Sequence, residues 1–204
     1  MKLFFCLFIL ISPPSCFSQE KSSEQIVEDL LIEIGSYKNI SVDFNLLYEN
    51  TRLDVKTNKK GKLKIEKDKF NLELDEQIII NNGEYQWTYL KNLNEVQITN
   101  NEITVGLSKL SDLLKISKND YKILYLKDQL NFQFFELIPK KINSFIKIQI
   151  KVQKQNRTIS EIKVFDKDGG NFIYSINKFK YNLEMNSFYF DPSKFPGIEI
   201  IDLR

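Results

Sequence analysis

The spacing of apolar residues divides the chain into a short helical stretch followed by a long run of strands. Ile26, Val27, Leu30, Leu31 and Ile34 recur at helical spacing, with Glu24, Glu28, Asp29 and Glu33 mostly on the other side. Ser22 precedes them with Gln25 three residues on, the pattern of a capping box, and Gly35 ends the run. From Asn39 the period falls to two. Ile40, Val42, Phe44, Leu46 and Tyr48 alternate with Ser41, Asp43, Asn45 and Glu49, which predicts a long strand. Residues 62–66 and 70–74 alternate again, and 77–80 leads into Asn82-Gly83, a strong hairpin signal. The return strand places Tyr85, Trp87 and Tyr89 on one face, and Val96 and Ile98 mark the next strand.

One segment interrupts the strands: Leu107 to Ile116 has helical spacing. Further strands are predicted over 121–126, 130–138 (stopped by Pro139), 145–152, 159–165, 172–176 and 189–200. About ten strands joined by short turns, with an N-terminal and a mid-chain helix, predict an α+β fold, mainly antiparallel β. Lysine-rich and aspartate-rich alternate positions leave one sheet face wet. With no internal repeat or low-complexity linker, the chain reads as one unit.

The first residues add a compartment. Lys2 gives a short positive start, Leu3 to Ile11 is almost unbroken apolar sequence, and Cys16-Phe17-Ser18 precedes Gln19. This is the layout of a secretory signal peptide over residues 1–18, cut after Ser18, with a single domain over 19–204. A competing reading retains Cys16 as the acylated first residue of an anchored lipoprotein, although Pro13-Pro14-Ser15 is a poor match to the sequence such signals prefer. Cleavage after Ser18 removes both cysteines and Lys2, so 29 basic residues become 28 against 27 acidic ones and the net charge becomes +1. That balance asks for neither nucleic acid nor a strongly acidic partner. With zero histidines the chain has no histidine base or Ser-His-Asp catalysis and little means of zinc chemistry. No glycine-rich phosphate loop or Gly-x-Ser-x-Gly is present. A non-enzymatic protein without cofactor or metal is expected.

The order of features resembles the LolA family, periplasmic carriers of lipoproteins between the two membranes of Gram-negative bacteria. The matching pieces are the helix Ile26–Ile34, Tyr37, the long strand Ile40–Tyr48, and Phe70 after the basic stretch Lys67-Asp68-Lys69. They continue with Asn82-Gly83-Glu84-Tyr85-Gln86-Trp87-Thr88-Tyr89, Leu137-Ile138-Pro139, Asp166-Lys167-Asp168-Gly169, and Phe188-Tyr189-Phe190-Asp191-Pro192 before Gly197-Ile198. Each piece is ordinary strand-and-turn chemistry. The ordered set carries the resemblance.

The resemblance implies an incomplete, unclosed β-barrel whose concave face is covered by helices acting as a lid. Cargo acyl chains would enter between barrel and lid. The implied ligand-binding residues are Phe44, Leu46, Phe70, Leu72, Trp87 and Tyr89 on strands, and Leu110, Leu113 and Leu114 on the lid. Each of these would be equally at home in a sealed core. The implied partners are lipoprotein acyl chains, an inner-membrane lipoprotein-releasing transporter and an outer-membrane acceptor, served by a monomer. Another lipid or pigment cargo, an envelope-stress sensor on the same domain, or a receptor acylated at Cys16 remain alternatives. One departure stands out: the family's lid-latching arginine falls at Glu66, between which and Phe70 lie Lys67 and Lys69. Either a lysine rebuilds the latch or this chain lacks it.

Overall fold

The computed structural model describes residues 22–100, 118–142, 145–185 and 188–204. The expected signal peptide and the helix predicted at Leu107–Ile116, with Leu110, Leu113 and Leu114, lie outside the described residues. Helix α1 spans Ser23–Ser36 and starts where its capping box places it. The Ser22 hydroxyl accepts from Gln25 N at 3.3 Å, and the Gln25 side chain accepts from Ser22 N at 3.0 Å. Two of the helix's orphan donors are thereby satisfied. At the other end Tyr37 N donates to Ile34 O, and the chain turns extended into the sheet.

The strands are β1 (Ile40–Asn50), β2 (Val55–Glu66), β3 (Lys69–Leu74), β4 (Gln77–Asn81), β5 (Tyr85–Leu90) and β6 (Glu95–Asn100), followed by β7 (Tyr121–Gln129), β8 (Phe132–Pro139), β9 (Phe145–Gln153), β10 (Thr158–Asp166), β11 (Gly170–Tyr181) and β12 (Glu199–Asp202). All belong to one sheet in the order β12-β6-β5-β4-β3-β2-β1-β11-β10-β9-β8-β7. Two meanders, β1–β6 and β7–β11, are thus joined back to back by the antiparallel β1·β11 pair, which runs from Ile40↔Tyr181 to Asn50↔Gly170. The sheet is unclosed, with β12 and β7 as its edges. Gly83, at φ +95°, makes the predicted turn between β4 and β5, where the Asn82 side chain accepts from Glu84 N and Tyr85 N.

Three expectations change. The segment 189–200 is not a strand: Pro192 and Pro196 withhold backbone donors, and a 3₁₀ turn spans Pro192–Lys194. Only Glu199–Asp202 pairs, and it does so parallel to β6. Strand β2 begins at Val55 rather than near Lys62, because its first half is exposed and lacks the one-sided apolar signal. Finally, α1 is the one α-helix among the described residues, so a lid of several helices is not what these residues show.

Direct cross-strand partners share a face. Val42, Leu63, Leu72 and Ile79 form one such row, and Leu46, Tyr174, Ile162, Ile150 and Phe135 another. These rows define the inner face, against which α1 lays Val27, Leu30, Leu31 and Ile34 to form the main core. The outer face carries a second, smaller core of Ile80, Trp87, Tyr89, Val96 and Phe190.

Candidate functional site

The inner face and its opening beside α1 are the candidate lipid site. Phe44, Leu46 and Leu72 sit there at 2–3 % exposure, and half-buried Phe70 packs against the same cluster. Phe44 lies over Gly61, its cross-strand partner: a Cβ at that position would overlap the ring, 2.7 Å from Phe44 Cε2. The glycine is therefore what lets the ring lie flat on β2. Tyr174 meets Phe44 edge-on, with ring centroids 5.7 Å apart. Among the described residues its hydroxyl is buried without a hydrogen-bond partner, and this burial pushes its pKa far above the usual phenol value.

Trp87 and Tyr89 do not join this group. Register places inner-face Leu72 beside Ile79 and Ile79 beside Thr88, so the alternate residues Trp87 and Tyr89 point to the outer face. There they are covered by the segment before β12: Trp87 meets Tyr189 at 5.3 Å, and Tyr89 meets Phe190 at 5.5 Å and Phe195 at 4.4 Å. Of the nine residues singled out from the sequence, the structure brings together Phe44, Leu46, Phe70 and Leu72, sets Trp87 and Tyr89 on the opposite side, and leaves Leu110, Leu113 and Leu114 outside the described residues.

Two clefts flank the last turn of α1 and share Ile34 and Tyr37. One, of about 270 Å³, runs over Ile40 and Ile65 towards Lys67 and Asp68 at the β2–β3 turn. The other, of about 250 Å³, runs over Leu30, Ile159 and Phe179 towards Arg157 at the β9–β10 turn. Both have apolar floors and charged rims, the form of an entrance to an apolar interior. Neither is lined by Phe44, Leu46 or Leu72, which are buried in the core that α1 joins. These cleft residues were not anticipated, because each reads as ordinary core or turn. The signal that pointed to them is the helix-to-strand elbow Gly35–Asn39.

That elbow is tied down by polar groups. Tyr37 stacks on Tyr181 at 4.0 Å with 6° between the rings, and its hydroxyl donates to the Glu33 carboxylate at 2.6 Å. Burial, reinforced by this carboxylate, raises the Tyr37 pKa strongly. Asn39, 2 % exposed, exchanges two 2.8 Å hydrogen bonds with the backbone of Leu183, and its amide nitrogen also reaches the Glu66 carboxylate at 3.5 Å. The position where the resemblance places a latch arginine therefore accepts a long hydrogen bond from the elbow of α1. Among the described residues no group of three or more Asp, Glu, Cys or His side chains could hold a metal. None of the described helices is long and apolar enough to cross a membrane.

The comparisons bear on this geometry. No curated protein matches the chain by sequence. Solved structures match its fold at low identity. One is an uncharacterized conserved protein from Thermus thermophilus, 9 % identical over 89 % of this chain and 99 % of that one, with a TM-score of 0.48. Another is a LolA superfamily protein from Nitrosomonas europaea, 11 % identical over 82 % of this chain and 96 % of that one, with a TM-score of 0.39. The family model for the outer membrane lipoprotein carrier protein LolA matches residues 35–193, well over half the chain, from the elbow of α1 to the segment covering Trp87. The chain belongs to the LolA family of outer membrane lipoprotein carrier proteins.

Proposed function

We propose that this protein is a periplasmic carrier that holds the acyl chains of lipoproteins on the inner face of its open sheet. It moves them from an inner-membrane lipoprotein-releasing transporter to an outer-membrane acceptor, as a monomer and without catalysis. In this reading the signal is cut after Ser18, and the mature domain is residues 19–204. Phe44, Leu46, Phe70 and Leu72 contact the cargo. Leu110, Leu113 and Leu114 belong to a second cover over it.

The observation that supports this reading is that, among the described residues, α1 packs its apolar side on the inner face of an unclosed sheet and is tied down by the polar elbow at Asn39. Withdrawing α1 exposes Val27, Leu30, Leu31 and Ile34, about 6–12 kcal/mol at roughly 1.5–3 kcal/mol per aliphatic side chain, while the entering chain re-covers the sheet. A lipid chain of roughly sixteen carbons entering in its place brings back about 11 kcal/mol at ~0.8 kcal/mol per CH₂. The exchange is nearly balanced, which a carrier that must also release its cargo requires.

The test is binding. Purified protein titrated with a fluorescent fatty-acid probe should saturate at about one site, and a triacylated lipoprotein should displace the probe. Native mass spectrometry of protein from its own cells should show co-purifying acyl chains. Probe that neither binds nor is displaced would refute the carrier reading. Co-purification of a free lipid or pigment alone would reassign the cargo.

A further inference from the structure

Strands β7–β10 carry an unusual pattern on the outer face. Along β8–β10 rings and ammonium groups alternate across neighbouring strands. Lys151 Nζ lies 4.3 Å from the Phe132 ring and 5.9 Å from the Phe134 ring. Lys127 approaches Phe134 from β7 at 5.3 Å. Phe165 is flanked by Lys147 at 5.0 Å and Lys163 at 4.8 Å. The phenylalanines belong to this face because their neighbours Phe135 and Val164 point into the main core. All three rings are half-buried.

The charge on this face is basic on balance. Against these lysines stand Glu136, which Lys147 reaches at 2.9 Å and Gln149 at 3.0 Å, Glu161, which sits beside Lys151 in register, and Glu49, which lies within the field of Lys163 and pairs with Lys56 at 2.7 Å. The opposite side of the molecule has the reverse sign: α1 bears Glu24, Glu28, Asp29 and Glu33 and no basic residue. The basic strip and the acidic helix thus lie on opposite sides of the sheet, and an anionic surface would attract the strip rather than the helix. Next to the lysines, Leu130 at the β7–β8 turn is 85 % exposed and Leu126 on β7 is 43 % exposed. Cross-strand cation–π pairs by themselves stabilise a sheet. They do not account for large apolar side chains left in water beside a basic face.

We propose that the outer face of β7–β10 is a docking surface for anionic lipid bilayers. Its ammonium groups would meet headgroup phosphates and its phenylalanine edges would enter the interface. Lysines with apolar stems, set among rings, suit a surface that is charged outside and apolar beneath. Docking this way leaves α1, on the other side of the sheet, unobstructed. The proposal is independent of what the inner face carries.

The test is co-sedimentation of the full chain with vesicles of phosphatidylglycerol and phosphatidylcholine, against vesicles of phosphatidylcholine alone. Binding is expected to the anionic vesicles only, and to weaken as salt rises. Lys151→Gln with Lys163→Gln should lower partitioning at least tenfold, since each lysine near an anionic surface is worth roughly fivefold. The charge-reversing pair Lys151→Glu with Lys163→Glu should abolish it. A control pair of the same charge change, Lys38→Glu at the elbow with Lys59→Glu opposite inner-face Leu46, should bind nearly as the parent does. Unchanged urea midpoints keep the comparison about binding. An equal loss in the control pair, equal binding to neutral vesicles, or no vesicle binding together with retention on an acidic polypeptide would each overturn the proposal.

Discussion

Replacing Tyr174 with Phe should make the protein more stable. The residue is 1 % exposed, its ring is held edge-on to Phe44, and its hydroxyl has no hydrogen-bond partner among the described residues. Phe keeps the ring contacts and removes only the oxygen. A buried hydroxyl left unsatisfied costs about 1–3 kcal/mol relative to water. The gap left by one oxygen, on the order of 10 Å³, returns only about 0.2–0.3 kcal/mol of that. A net gain of about 1–2 kcal/mol follows, read as a higher urea midpoint at unchanged m and a melting temperature raised by about 2–8 °C. The phenol also has a pH signature. Its folded pKa is raised above the ordinary 10.0, so the folded state holds the proton more tightly. The stability this confers is complete below pH 10.0 and is lost as pH rises from there towards the raised folded value. Tyr174→Phe should remove that part of the alkaline loss. A lower midpoint in the variant would mean that the hydroxyl is satisfied in solution, and the reasoning fails.

Four further outcomes follow from the geometry. Gly61→Ala should destabilise by about 1–3 kcal/mol in urea, because its Cβ must displace Phe44 or Leu74, and shortening Phe44 to Leu should recover part of the loss. Asn39→Ala should leave the backbone of Leu183 unpaired at a cost of about 1–3 kcal/mol, with hydrogen exchange rising first at the α1 elbow. Phe190→Ala should cost about 3–5 kcal/mol and shift the emission of Trp87 to the red, since it uncovers the outer-face core while sparing the inner one. The Asp202 carboxyl, held down to about 2 by Arg204, should titrate there by NMR, below the ordinary 3.8, so the pair persists above its unfolded range and is lost as pH falls towards 2.

The sequence carried the elements further than the faces. The capping box at Ser22 and Gln25 gives the start of α1, and strict alternation from Ile40 gives β1, because both signals are local. Strand β5 shows the limit. Its alternation correctly groups Tyr85, Trp87 and Tyr89, but period two does not say which group faces the helix. Aromatic residues invite an inward assignment, whereas Gln86 and Thr88 take that side. The deciding partner is the Phe188–Ile198 segment, about a hundred residues downstream, which buries the aromatic side instead. The first half of β2 was hidden for the opposite reason: Lys56, Asn58, Lys59 and Lys60 are polar on both sides, and only pairing with β1 makes them a strand. Of the site, the inner-face residues Phe44, Leu46, Phe70 and Leu72 were legible as one face of consecutive strands. The clefts beside α1 were not, since they combine a helix end with two turns that meet only in the fold.

The parallel pairing of β12 with β6 has a consequence for how the chain matures. Val96 waits for Ile200, and β1 likewise waits for β11, so both outer strands of the first meander keep open edges while some hundred residues are still to be delivered. Delivered amino end first, the chain presents six strands able to form locally before either flank is paired. Such an intermediate is the species most prone to aggregate during biogenesis. Its yield should therefore depend on factors that hold it until the last strands arrive, and less on the stability of the finished sheet.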